Sequence, residues 1–172
     1  MLNLYRGFTL VECLVTIVVI AILAAVAIPS FKRDLIQKEV EGSQLKIQRA
    51  LQLARQHAMT QANHVVLCNS DDGKLCGNER WTQGFIVFVD INKNRQRDND
   101  ETLVLGEALN LKYGQLSWGS LNHDNLSFLP RTGLPLGSNG TFSYCAQDAQ
   151  FSYSIVVSHM GHSRIDQTQK CS

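Results

Sequence analysis

The sequence has almost no net charge and lacks the motifs that mark an enzyme. Its 16 Lys and Arg are balanced by 15 Asp and Glu, giving a formal charge of +1. No global electrostatic attraction to nucleic acid or to an acidic partner is therefore expected. The sequence contains no Gly-rich phosphate loop and no nucleophile motif, and its five histidines are scattered. We predict that the protein is not an enzyme and needs no cofactor.

Charge is also nearly missing from one long segment. Phe8–Ile28 contains a single charged side chain, Glu12. Its 21 residues would span about 31 Å as a helix, which is enough to cross a bilayer. The chain after residue 31 has the mixed composition of a water-soluble part, so the sequence is bipartite.

The cysteines lack the C-x-x-C spacing that many zinc sites use, and we predict no metal site. Cys13 lies in the apolar segment, where a free thiol behaves as a small hydrophobic group. The other four lie in the soluble part, and their even number predicts two disulfides formed in an oxidising compartment. More than one pairing is possible. We favour Cys68–Cys76, which closes a short polar loop, and Cys145–Cys171, which would hold the C-terminal tail.

The N-terminus presents a leader, a cleavage site and an apolar helix in an unusual order. An ordinary signal peptide has its cleavage site after the apolar stretch. Here the short leader, residues 1–7, ends at Gly7 before that stretch begins, so cleavage would leave the helix on the mature protein. The sequence RGFTLVE resembles the prepilin motif of type IV pilins and type II secretion pseudopilins. Gly7, Phe8, Glu12 and Pro29 all match that pattern in register.

This resemblance implies roles for the matched residues. A prepilin peptidase would cleave after Gly7, and the new amine of Phe8 would be methylated. A carboxylate in an apolar helix is costly unless it is paired, so Glu12 is expected to pair with the amine of a neighbouring subunit; the alternative is that it reaches the lipid headgroups. Pro29 removes one helical hydrogen bond, and a bend or short melted stretch is expected at residues 27–30 of a helix that continues.

The period of the apolar residues changes near residue 63. Before it, one stripe has helical spacing and predicts an amphipathic helix; the stripe consists of Ile36, Val40, Ile47, Leu51, Ala54, Ala58 and Ala62. After it, about seven short segments rich in β-branched and aromatic residues predict strands; they are 64–68, 85–89, 102–105, 113–118, 125–129, 141–145 and 151–157. We predict an α+β pilin fold with a membrane-spanning half-helix (8–30), an amphipathic half-helix (31–62) and a β-rich domain (63–172).

The start of the β-rich domain narrows the resemblance. The order of features over residues 81–101 is similar to that of the GspH/FimT group of minor pilins and minor pseudopilins. These features are Trp81, a glycine, an apolar strand ending in Asp90, an Asn-rich loop and Glu101. The order Cys68, Asp72-Gly73, Cys76 is more like the pilus branch. This similarity implies a subunit that takes part in pilus assembly at or near the tip; the alternative is a minor pseudopilin of a type II secretion system.

The same similarity implies partners and a location. The partners would be the prepilin peptidase, the inner-membrane assembly platform, and other minor and major pilins. The protein would cross the inner membrane once with its soluble domain in the periplasm, and would then enter the extracellular pilus.

The loop from Asp90 to Glu101 has two interpretations. Acidic and amide side chains occupy the first, third, fifth, ninth and twelfth positions of a calcium loop; they are Asp90, Asn92, Asn94, Asp98 and Glu101. However, Arg95 occupies the sixth position, where glycine is usual, and Lys93 and Arg97 add further positive charge. A hairpin turn stabilised by local hydrogen bonds is the simpler interpretation.

The C-terminal region contains a candidate DNA-binding element. In FimT-type proteins a Gly-Arg-x-Arg element at this position is associated with DNA binding in natural transformation. Residues 161–164 keep the second arginine, Arg164, but have His162 in place of the first. The resemblance implies that double-stranded DNA would contact His162, Arg164 and Lys170, with the loop residues Lys93, Arg95 and Arg97 as further candidates. The alternative is a final β-hairpin with Gly161 in its turn.

Overall fold

The computed structural model describes residues 9–77, 81–120, 124–135 and 137–167. The chain begins with one long helix, α1 (Leu10–Gln61). The strands that follow are β1 (His64–Asn69), β2 (Gly84–Asp90), β3 (Leu103–Ala108), β4 (Gly114–Ser120), β5 (Leu126–Phe128), β6 (Gly140–Ala146), β7 (Tyr153–Val157) and β8 (Ser163–Gln167), with a short 3-10 helix at Ala149–Phe151. The seven predicted strands are confirmed, and β8 is an eighth. The predicted α+β class, one long helix followed by a β-rich domain, is likewise confirmed.

The chain divides into two compact units, residues 1–38 and 39–172. The first unit holds the apolar part of α1, whose large side chains are exposed; Leu10 is 80% exposed and Ile28 is 68% exposed. By length and composition this helix is able to cross a membrane. It continues through Pro29, and residues 27–30 are helical rather than melted. A proline lacks only its own N–H donor, so one bond is lost while the neighbouring turns keep theirs.

Within the second unit, α1 presents a face of small and branched side chains to the core. Ile47, Leu51, Ala54 and Ala58 are buried, as the periodicity predicts, and Ala50 is buried with them. Ala62, the last predicted member of this stripe, is exposed and lies just beyond the helix with a φ of 52°. A residue in the left-handed region is a common way for a helix to end.

The eight strands form two antiparallel sheets. The first sheet has the order β3-β2-β1-β5, and the second has the order β4-β6-β7-β8. Apolar side chains from both sheets join those of α1 in one core; the largest fully buried members are Tyr144, Tyr153, Phe85, Phe128, Phe142 and Ile47. The second sheet pairs β4 with β6, β6 with β7 and β7 with β8. Strand β5 lies between β4 and β6 in the chain but belongs to the first sheet.

Strands β1 and β2 are buried on both faces. Successive side chains of a strand point to opposite faces, and Val65 and Leu67 join the main core while Val66 and Cys68 form a second cluster with Ile86 and Phe88. This two-sided burial explains why the sequences of β1 and β2 are continuous apolar runs rather than alternating apolar and polar residues. The side chain of Cys76 packs against the second cluster.

Candidate functional site

The described part of the N-terminal motif starts helix α1. Thr9 precedes the helix, and its Oγ1 accepts a hydrogen bond from the backbone N–H of Glu12 at 3.2 Å. This is an N-cap contact, which satisfies one of the donors left free at the first turn. The side chain of Glu12 is exposed among exposed apolar residues. Gly7 and Phe8, the predicted cleavage and methylation residues, lie outside the described residues.

The predicted disulfide between Cys68 and Cys76 is present. The loop that it closes is well bonded internally. Asp72 Oδ1 accepts hydrogen bonds from the backbone N–H groups of Lys74 and Leu75, at 2.8 and 2.9 Å, and these bonds lower the pKa of the Asp72 carboxyl group. The other predicted pair is only partly described: Cys145 is disulfide-bonded, while Cys171 lies outside the described residues. Cys13 is a free, exposed thiol.

The loop closed by this disulfide lies against strand β3. A Cβ atom added at Gly106 would come within 2.7 Å of the carbonyl oxygen of Gly73, so only glycine fits at that point of β3. Arg97 donates from Nη1 to the carbonyl oxygen of Lys74 at 2.9 Å. The disulfide loop and the Asp90–Glu101 loop therefore meet at one edge of the first sheet.

The Asp90–Glu101 loop connects β2 to β3 and bonds extensively to itself. Asp90 Oδ2 accepts the backbone N–H of Arg95 at 3.1 Å. The two carboxylate oxygens of Glu101 accept the backbone N–H groups of Ile91 and Asp98, at 2.8 and 3.1 Å. Asp90 is 2% exposed and Glu101 is 3% exposed. The hairpin interpretation is thus supported, since these carboxylates organise the loop backbone.

The basic residues predicted to contact DNA lie on two different sheets. Lys93, Arg95 and Arg97 lie in the loop of the first sheet, where Arg97 is held by backbone carbonyls and burial lowers the pKa of Arg95. His162 lies in the turn between β7 and β8, and Arg164 lies on β8, an edge strand of the second sheet. Lys170 lies outside the described residues.

The β7–β8 hairpin presents Arg164 to solvent. Gly161 occupies its turn with a φ of 74°, and its carbonyl oxygen accepts a hydrogen bond from Arg55 Nη1 of α1 at 3.1 Å. The side chain of Arg164 is 71% exposed, and its Nε and Nη2 both contact Asp166 Oδ2 at 3.0 Å. An exposed ion pair of this kind contributes only about 0–1 kcal/mol, so the guanidinium remains available to another anion.

Glu39 is a key residue that the sequence did not single out. Its carboxylate accepts three hydrogen bonds: from the backbone N–H of Lys112 at 2.8 Å, from the backbone N–H of Tyr113 at 3.1 Å and from the hydroxyl of Tyr144 at 2.7 Å. It thereby joins α1 to the start of β4 and to the centre of β6. Its acceptor role was not readable from the sequence because its partners lie more than 70 residues away, with separations of 73, 74 and 105.

Two buried tyrosines stack beside this carboxylate. The rings of Tyr144 and Tyr153 are parallel to within 10°, with centroids 5.0 Å apart. Burial raises the pKa of both hydroxyls well above the ordinary value, and the nearby Glu39 carboxylate raises them further. The Tyr153 hydroxyl shares a hydrogen bond with Ser43 Oγ at 2.8 Å.

Comparison with known families agrees with this architecture. The profile of a prokaryotic N-terminal methylation motif matches residues 2–28. The profile described as type II transport protein GspH matches residues 45–161, which is most of the chain after the apolar segment. The chain belongs to the GspH family. It is therefore a membrane-anchored, pilin-like protein of the minor pilin and pseudopilin class, a structural rather than an enzymatic family.

A solved structure shows the same fold as this GspH-family protein. A crystal structure of the type IV minor pilin FimU from Pseudomonas aeruginosa superposes with a TM-score of 0.54 at 16% identity, covering 78% of this chain and 90% of that one. A second crystal form of FimU gives a TM-score of 0.45 at 17% identity, covering 77% and 91%. A search of curated protein sequences gave no significant match.

Proposed function

We propose that this GspH-family protein is a minor type IV pilin that takes part in pilus assembly at or near the tip. The observation that carries the proposal is the continuity of α1. A methylation motif over residues 2–28 runs directly into a helix that reaches Gln61 and supplies the core of a β-rich domain. A subunit built in this way keeps its apolar helix after processing and can pack it among the helices of other pilins.

The residues of the N-terminal motif would work as follows. The prepilin peptidase cleaves after Gly7, and Phe8 is methylated. While the helix is in the inner membrane, the soluble domain lies in the periplasm. Glu12 then pairs with the amine of a neighbouring subunit, which neutralises both charges as the subunit leaves the bilayer. The assembly platform and the other minor and major pilins are the expected partners.

The minor pseudopilin of a type II secretion system is the alternative, and a deletion strain separates the two. Loss of surface filaments by electron microscopy, with normal release of secreted proteins, is expected if the protein is a pilin. Its presence in small amounts in sheared filaments would support a place near the tip. Normal piliation with blocked protein secretion would refute the pilus assignment in favour of the pseudopilus.

A second function, weak binding of double-stranded DNA during natural transformation, is favoured by the exposure of Arg164. A guanidinium can contact phosphate oxygens with a planar set of donors. Contacts to two or three phosphates predict that log affinity falls with log salt at a slope of about −2. Arg164→Gln should weaken binding of a labelled duplex at low salt, while Arg49→Gln, an exposed arginine on α1, serves as the matched control. Equal binding by both variants would exclude the hairpin as the DNA site.

A further inference from the structure

We propose that a pocket between α1 and the β7–β8 hairpin binds a phosphate group, with Arg55 as its central cation. The pocket has a volume of about 240 Å³. Three residues of α1 and three of the hairpin line it: Leu51, Gln52, Arg55, Gly161, His162 and Ser163. The proposal does not depend on whether the protein serves a pilus or a secretion system.

Arg55 is a partly buried charge that has no carboxylate partner in the described part of the chain. Its Nη1 donates to the carbonyl oxygen of Gly161 at 3.1 Å, and its Nε is buried without a hydrogen-bond partner. A guanidinium has five N–H donors, so most of those of Arg55 have no acceptor among the described residues. Buried charges in proteins are normally paired, and an anion in the pocket would be the missing partner.

Gly161 lets the guanidinium of Arg55 lie at the wall of the pocket. It has a φ of 74°, a conformation that favours glycine. A Cβ atom added there would lie 3.4 Å from both Cζ and Nε of Arg55 and 3.1 Å from the carbonyl oxygen of Gly133. The guanidinium therefore packs directly on the backbone of the turn. A cation that is already held in place loses less conformational freedom when it binds a ligand.

The other polar side chains of the pocket are hydrogen-bond donors and not carboxylates. Gln52 has an amide group, His162 an imidazole and Ser163 a hydroxyl, and within the described ranges none of these side chains makes a hydrogen bond. No lining residue is Asp or Glu. A phosphate group presents at least three acceptor oxygens, whereas a carboxylate presents two. Because the donors come from four different side chains, the lining favours phosphate over carboxylate.

The acidic residue of the hairpin, Asp166, lies on the other face of β8. Successive side chains of a strand point to opposite faces, so Ser163, which lines the pocket, and Asp166 face opposite ways. Asp166 Oδ2 is also bound by Nε and Nη2 of Arg164, both at 3.0 Å. Arg164 shares the face of Asp166, so the pocket and the candidate DNA contact at Arg164 are separate sites on this strand.

Two glutamines on α1 provide a matched pair of variants. Gln52 lines the pocket and Gln56 does not, although both are exposed, and each change to glutamate adds one negative charge. Gln52→Glu places a carboxylate three residues before Arg55, within reach of its guanidinium, so it should exclude the phosphate group. Gln56→Glu places the same charge beside Arg55 in the sequence but on a different face of the helix. Neither change removes the bond from Arg55 to Gly161.

Isothermal titration calorimetry of the full-length protein in detergent, with sodium phosphate, measures the binding. The parent should have a dissociation constant on the order of 1 mM, as expected for a few charge-assisted hydrogen bonds at a partly exposed site. Gln52→Glu should weaken binding at least about tenfold, and Gln56→Glu should stay within about twofold of the parent. Arg55→Lys keeps the charge but loses the planar fork, and its affinity should lie between these two. Sodium acetate should bind at least about tenfold more weakly than phosphate.

A labelled DNA duplex distinguishes a backbone phosphate from a free phosphate ion as the source of the group. If the backbone enters the pocket, the slope of log affinity against log salt should be shallower by about 0.9 for Gln52→Glu than for Gln56→Glu. Equal slopes, with phosphate binding retained by the parent, assign the pocket to the free ion. Arg164→Gln should leave phosphate binding unchanged whatever it does to duplex binding, so the two sites can fail independently.

Melting temperatures of all variants show whether a loss of binding reflects a loss of structure. If Gln52→Glu melts at a clearly lower temperature, Ser163→Asp takes its place, since it adds the carboxylate from the hairpin side with the same expected weakening. The proposal is overturned if phosphate gives no heat with the parent, if the folded pocket variant binds phosphate as tightly as Gln56→Glu, or if acetate binds as tightly as phosphate.

Discussion

The carboxylate of Glu39 should contribute more to the free energy of unfolding than any other charged side chain on the part of α1 that lies in the second unit. Removing it by Glu39→Ala leaves three donors without their acceptor: the backbone N–H groups of Lys112 and Tyr113 and the hydroxyl of Tyr144. Tyr144 is fully buried, so water cannot replace the lost bond there, whereas Lys112 is exposed and water can replace it. We expect a loss of about 2–4 kcal/mol in the free energy of unfolding.

The assay is urea unfolding of the full-length protein in detergent, followed by tryptophan fluorescence. Trp81 is 3% exposed and packs edge-on against Phe142 in the core, so its emission reports the unfolding of the β-rich domain. Glu39→Gln keeps an acceptor oxygen but loses the charge, and should cost about 1–2 kcal/mol. Tyr144→Phe removes one of the three bonds and should cost about 1 kcal/mol.

Glu41→Ala is the control for the Glu39 substitutions. It makes the same chemical change on the same helix at an exposed side chain, where an ion pair contributes about 0–1 kcal/mol. The double variant of Glu39→Ala with Tyr144→Phe should lose less than the sum of the two single losses, because the two groups share a bond. If Glu39→Ala costs no more than Glu41→Ala, the three bonds do not stabilise the fold and the reasoning is wrong.

Three further outcomes are expected. Gly7→Val should block processing, so intact-mass measurement should find the leader retained; unchanged trimming would contradict the predicted cleavage site. Reduction of the Cys68–Cys76 disulfide should lower the melting temperature by several degrees, since cross-links restrict the unfolded chain; an unchanged melting temperature would argue against this. The raised pKa values of Tyr144 and Tyr153 mean that the unfolded chain releases these protons first, so stability should fall as the pH rises above about 10. The chain has four tyrosines, so ultraviolet titration is compared between the parent and the variants Tyr144→Phe and Tyr153→Phe. The difference should show these two hydroxyls ionising only on unfolding, and a difference that titrates near pH 10 in the folded protein would disprove their burial.

The parts of the fold that could be predicted are those that follow from local patterns of apolar residues in the sequence. Leu51 and Ala58 follow the helical period, and the strands from β1 to β7 each contain β-branched, aromatic or other apolar residues in a short segment between turn residues. Strand β8 (Ser163–Gln167) has no such run, because it is a polar edge strand whose side chains are mostly exposed. Its place in the sheet comes from backbone pairing with β7, and the periodicity of apolar residues in the sequence does not indicate such a pairing.

The parts that could not be predicted depend on distant contacts. The order of strands, in which β5 leaves its neighbours in sequence to pair with β1, follows from how the two sheets share one core. The positive φ of Arg95 could not be inferred either, since the residue type argues against it. The interaction of Glu39 with Tyr144 is a third case, because a glutamate on a helix usually faces solvent.

The second apolar cluster has a practical consequence for producing the protein. Val66, Ile86 and Phe88 lie on the face of the first sheet opposite the main core, and Cys76, which is disulfide-bonded to Cys68, packs against them. In a reducing cytoplasm this bond does not persist, and the loop that carries Cys76 is then held in place by hydrogen bonds alone. Material made there should be prone to association through this face. Export to the periplasm, or refolding under oxidising conditions, should instead give the closed form.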